Sequence, residues 1–268
     1  MRFGVLIFLA AWLPVSASLA DGRERQLASW HRNASEKCLI TVDSSAVSPD
    51  QTRLRTVLDI IDSIYPEGNP FLDLARDQKT AICIEDRSAP ELGFFDAALN
   101  LIALHFSLNL DETVVILTHE LRHLDQYSRG FCQSARFDVK EEVRFTYVIE
   151  ADAMAVTAHE IWRMKELGYS GPWYALEHLG HYNDVAQSYA EIAGNDGTAD
   201  AALTAAFDQW FTSEWRRDTY ELATCMFYYD ELDRTNTIQS YGLRSDSLLQ
   251  NVCVLPDGSR YKCDLPAR

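Results

Sequence analysis

The sequence predicts an α+β protein, predominantly helical, with a small antiparallel or mixed sheet in its first half and helices in its second. Three observations predict this. Short β-rich runs end near Leu104, and the last two, Gly93–Asp96 and Asn100–Leu104, flank a turn as a hairpin. Two longer segments, about 111–129 and about 141–167, then repeat apolar residues at helical spacing. From Trp173 to Asp233 the pattern stays helical, with a break at Gly194-Asn195-Asp196-Gly197.

Taken in order, the chain opens on a leader. Arg2, the apolar run Val5–Leu13 and the small residues of Ser18-Leu19-Ala20 predict a signal peptide over residues 1–20, cleaved before Asp21, with an uncleaved anchor as the alternative. The apolar run is too short to span a bilayer stably, and no later stretch approaches that length. An exported protein, periplasmic or secreted, is expected. Residues 21–37 are polar and charged and suit a short helix, and Cys38–Val42 reads as a strand. Ser48-Pro49-Asp50 opens a helix with Leu54, Val57, Leu58, Ile61 and Ile64 inward, and Tyr65–Pro70 breaks it. Thr80–Ile84 is a second strand, followed by the Gly93–Leu104 hairpin. A strand at a sheet edge has unpaired backbone groups to which an extended peptide can add.

The six cysteines include no CxxC pair and fit an oxidising location. Cys253–Cys263 closes across the turn Pro256-Asp257-Gly258, which leaves Cys38–Cys83 and Cys132–Cys225 by elimination. Acidic residues outnumber basic ones 40 to 24, a net charge of −16, which argues against nucleic acid and anionic lipid as partners.

The densest chemistry lies in His119-Glu120-Leu121-Arg122-His123. Asn109 or Asp111 can cap this helix, Gly130 can stop it, and Val114, Leu117, Leu121 and Leu124 form its apolar stripe. Residues four apart sit one turn above each other, so both imidazoles point the same way, as two zinc ligands on one helix must. Glu120 follows the first ligand and can take a proton from an activated water. A catalytic zinc usually takes a third protein ligand. Glu150, on the long apolar helix after it, is the expected one, since a buried carboxylate needs a partner. An ion pair to Arg122 or Arg144 is the other reading of Glu150. Asp152 is the next candidate ligand, followed by Glu141, Glu142 and His159. If Glu150 is the ligand, Asp152 can orient an imidazole, against which stands a separation of about 200° on a regular helix. Tyr147, His178, His181 and Tyr182 are available to stabilise an oxyanion. The aromatics that crowd residues 173–229 suit a core better than a ligand box.

His119-Glu120-Leu121-Arg122-His123, followed by a helix bearing Glu150-Ala151-Asp152 and preceded by the hairpin, resembles a gluzincin-type zinc metallopeptidase. The arrangement is similar to the small bacterial metallopeptidase families of that clan. The resemblance covers residues 38–165. It implies one catalytic zinc on His119, His123 and Glu150, Glu120 as general base, and the hairpin laid beside a peptide or protein substrate. In several gluzincin families an aspartate follows the ligand glutamate by four positions, whereas here Asp152 follows by two. The expected organisation is a zincin-like metallopeptidase core at 21–168, a helical subdomain at 169–234 and an irregular, disulfide-tied tail at 235–268. The expected function is an exported zinc-dependent peptidase. The alternatives are a non-catalytic exported binding protein on the same scaffold, and a zinc hydrolase of a non-peptide, cell-wall amide.

Overall fold

A computed structural model of the chain describes residues 33–85 and 91–267, so the leader expected at 1–20 lies outside the described residues. The first half alternates helix and strand: α1 (Ala34–Lys37), β1 (Cys38–Leu39), α2 (Pro49–Asp62), α3 (Pro70–Gln78), β2 (Ala81–Glu85), β3 (Gly93–Asp96) and β4 (Leu101–His105). The strands form one mixed sheet in the order β1-β2-β4-β3. β2 and β4 run parallel, while β1 and β3 pair antiparallel on the outside. All of β2 and most of β4 are buried, which is why both read as continuous apolar runs. β3 is therefore an edge strand, joined to β4 by the expected hairpin.

Local chemistry explains the helix starts. The Ser48 side chain accepts from the Gln51 amide while the Gln51 side chain accepts from the Ser48 amide, a reciprocal cap on α2. Tyr65–Pro70 does end α2 but also starts α3, which the sequence reading did not foresee. Asn69 accepts from the Phe71 and Leu72 amides and Pro70 takes the first turn, so one polar break serves two helices. β1 is shorter than the expected Cys38–Val42. Its pairing with β2 sets Cys38 opposite Cys83, and the two form a disulfide.

The second half is helical: α4 (Leu110–Ser128), α5 (Val139–Glu166), α6 (Gly171–Glu177), α7 (Asn183–Ala193), α8 (Ala199–Trp210), α9 (Glu214–Thr235) and α10 (Asp246–Gln250). The break at 194–197 is present, and 178–182 and 211–213 interrupt the helical run as well. α5, 28 residues long, is the spine, packed by α4 on one side and by α6, α7, α8 and α9 elsewhere. Ala151, Ala155 and Ala158 are fully buried along it. Trp173, Tyr189, Phe207 and Trp210 are core residues, continuous with Leu54 and Ile82 of the first half.

The tail is irregular apart from α10 and an isolated bridge between Val254 and Arg260, and the Cys253–Cys263 disulfide closes it. The third expected bridge, Cys132–Cys225, does not form: both thiols are free. Elimination holds only if all six cysteines pair, and the other reading, that some stay free thiols, is what the structure shows for these two. Instead Arg244 holds the Cys132 carbonyl at 2.8 Å, and the Cys132 sulfur lies 4.0 Å from the Tyr127 carbonyl.

Candidate metal centre

The site is built where α4 crosses α5 beneath the edge strand. Asn109 accepts from the Glu112 amide and Glu112 accepts from the Asn109 amide, which fixes where α4 begins and so which way its side chains face. Val114, Leu117, Leu121 and Leu124 bury one side. His119 and His123 then lie one above the other, with ring centroids 4.6 Å apart and Nε2 atoms 3.0 Å apart. Glu150 of α5 approaches both, at 3.5 Å from His119 Nε2 and 3.6 Å from His123 Nε2. The ligand atoms of these three residues lie within 4.8 Å of one another, and no other such group occurs among the described residues.

These separations suit a common ion. Zinc holds nitrogen and carboxylate oxygen at about 2.0–2.2 Å, which leaves neighbouring donors a little over 3 Å apart. The side chains of His119, His123 and Glu150 are 13, 17 and 15 % exposed, sheltered yet reachable. Cavities of about 690 and 350 Å³ lie elsewhere, the first around Pro49 and Arg53, the second around Arg144 and Glu221.

Electrostatics mark the group as a unit. Burial lowers the His123 pKa, but the Glu150 charge and hydrogen bond, with help from Glu120 and Gln126, more than offset it and lift the imidazole to about 9. Burial raises Glu150, yet the two imidazoles win and hold it well below the ordinary carboxylate range. Glu120 is buried, and that burial raises its pKa against the opposing pull of His123, His119 and the Phe95 amide.

That amide belongs to β3, so the edge strand touches the site directly. Gly93 shows how closely. A Cβ there would lie 2.5 Å from Ile116 Cγ2 and 3.3 Å from Glu120 Oε1, so only glycine lets the strand lie this near α4.

Asp152 does not join the cluster. Its Oδ2 accepts from Arg122 Nε at 2.8 Å and from Gln126 Nε2 at 2.6 Å, and its Oδ1 accepts from Arg122 Nη2 at 3.0 Å and from the Tyr261 hydroxyl at 2.6 Å. Gln126 in turn meets His123 Nδ1 at 2.8 Å. Glu150 and Asp152 straddle α4, one reaching its imidazoles and the other its Arg122. The remaining ligand candidates lie elsewhere. His159 meets the Tyr189 hydroxyl, Glu142 pairs with Arg244, and Glu141 with Arg144. Arg122 and Arg144, the other partners considered for Glu150, pair with different acids.

Each of the four oxyanion candidates has a partner of its own. Tyr147 donates to the Arg217 carbonyl, His178 meets the Tyr174 carbonyl, and His181 stacks on Trp215 at 3.5 Å. Tyr182 meets the Tyr220 hydroxyl at 2.8 Å. Tyr220 was missed by the sequence reading. Burial raises its pKa well above the ordinary value, followed by the charge of Glu150, which its hydroxyl faces. In sequence it is one aromatic among many on α9, and only packing of α9 on α5 singles it out.

Residues 30–263, nearly the whole chain, match the model of a family described as "Putative metallopeptidase family (DUF6782)". No curated protein and no solved structure matches the chain.

Proposed function

Because the chain belongs to that metallopeptidase family, we propose that it is an exported, zinc-dependent peptidase with its centre on His119, His123 and Glu150. The observation that supports this reading is the convergence of three donors on one point, beside a buried carboxylate that follows the first of them. Zinc held there would polarise a scissile carbonyl and acidify a water. Glu120 is the general base: it takes the proton of the attacking water and passes it to the leaving amine. Tyr220, steadied by Tyr182, donates to the developing oxyanion. An extended peptide adds to the open side of β3 as one more strand. Two disulfides agree with an oxidising, exported location.

The test is metal analysis of the purified protein together with hydrolysis of a mixed peptide library. Stoichiometric zinc, and cleavage that stops with chelator and returns with zinc, is expected. Cleavage indifferent to chelator, or a protein that holds no metal, sinks the proposal. A second reading, a non-catalytic binding protein on this scaffold, draws on the exposed Leu222, Met226 and Tyr229 of α9. Zinc bound with no cleavage of any peptide or cell-wall amide would favour it.

A further inference from the structure

We propose that Tyr261, carried on the disulfide-closed C-terminal loop, is a positioning residue that sets how tightly His123 holds a metal; the inference rests on the centre assigned above. Gln126 Nε2 donates to the Ile149 carbonyl at 2.9 Å and to Asp152 Oδ2 at 2.6 Å. Both neighbours are acceptors, so the nitrogen of that amide must face them and Oε1 must face His123. An oxygen opposite Nδ1 requires a proton on Nδ1, so in the neutral ring the lone pair lies on Nε2, facing His119 and Glu150. The imidazole therefore takes its tautomer and ring angle from the orientation of Gln126.

Gln126 takes its orientation from Asp152, and Asp152 is held by groups from far away. The Tyr261 hydroxyl donates to its Oδ1 at 2.6 Å, and Arg122 grips both oxygens. Arg122 is itself anchored on the tail, because Nη2 donates to the carbonyls of Val252 at 2.9 Å and Val254 at 3.0 Å. The loop presenting these groups is closed by Cys253–Cys263 and by the Val254–Arg260 bridge. Tyr261 is 6 % exposed, with its ring against Phe207. Without the hydroxyl, Asp152 Oδ1 keeps a single donor, Arg122 Nη2, and the carboxylate holds Gln126 less firmly, which leaves the Ile149 carbonyl as that amide's steadier anchor. His119 has no such support, since its buried Nδ1 has no hydrogen-bond partner. The tail thus acts on one ligand.

The experiment measures zinc affinity by competition with a chromophoric chelator, which needs no catalysis. Tyr261→Phe should weaken zinc binding several-fold, up to the roughly 10- to 100-fold usual for loss of a group bonded directly to a ligand. Tyr228→Phe is the control: it too is a buried tyrosine, donating to the Phe137 carbonyl at 2.9 Å, and its zinc affinity should be unchanged. A merely structural Tyr261 would lower thermal stability in the variant without moving zinc affinity, and that result overturns the inference. Gln126→Met should reproduce the loss, and Tyr261→Phe added to it should cost nothing more. Additive losses overturn the route, and a Gln126→Met protein with wild-type affinity overturns it even if Tyr261→Phe does not fold. A wild-type protein that binds no zinc removes the centre and the inference together; tight zinc in Tyr261→Phe removes the inference alone.

Discussion

The two sides of α4 handle charge in opposite ways. On the side facing the tail, Arg122 has no exposure and spends its guanidinium on Asp152, Asp125 and two backbone carbonyls. Each oxygen of the Asp152 carboxylate accepts two hydrogen bonds. On the side facing β3, His119 leaves Nδ1 without a partner, two ring nitrogens face each other at 3.0 Å, and a carboxylate waits beside them. Buried polar groups are normally all paired. The tail side obeys that rule by itself. On the strand side the two Nε2 atoms and the Glu150 carboxylate face one another, and under the proposed function that contrast separates structural charge from functional charge within one helix.

The most severe way to break this contrast is to remove a ligand. His123→Ala or Glu150→Ala is expected to lose stoichiometric metal, read by elemental analysis after dialysis; full metal in either would mean that the strand side is no centre. Next comes Glu120→Gln, which keeps metal and should lower kcat by about 10²- to 10⁴-fold in a peptide assay. Arg122→Met tests the tail side: it strands Asp152 and Asp125 in the interior and should cost about 3–5 kcal/mol in urea unfolding. A variant of wild-type stability would show that this network does not hold the fold.

The mildest perturbation is pH. His123 in the metal-free protein is raised to about 9 by Glu150 against its burial, from an ordinary value near 6.5. A raised pKa stabilises the fold fully below the unfolded value and loses that contribution as pH climbs through the folded one. The metal-free protein should therefore lose thermal stability between about pH 6.5 and 9. Zinc affinity should move the other way, rising by up to about tenfold per pH unit across the same window, because the proton on His123 must leave before metal enters. Parallel changes in both quantities would contradict the pairing of His123 with Glu150.

How much of this could be read from the chain depends on how local each feature is. The α4 helix, its Asn109 cap and the paired imidazoles are set by neighbours a turn apart, and they lie open in the sequence. Glu150 could be inferred because a carboxylate on an apolar helix must find a partner, and the structure brings it to the imidazoles. Asp152 was harder. Its angle from Glu150 on the helix argued against any service to the ligands, and what that angle could not show is Gln126, which carries the contact across. Tyr220 and Tyr261 were beyond reach, since each meets the site only through packing between distant segments. α3 was lost because its Asn69-Pro70 start reads equally well as a stop.

Gly93 carries a consequence for how this protein can change. The strand rests so near Ile116 that one added methyl group acts as a wedge. Prising the hairpin outward would draw the Phe95 amide off Glu120 and tilt the bench on which a peptide would lie. The spacing between bench and blade is pinned by the smallest residue in the alphabet.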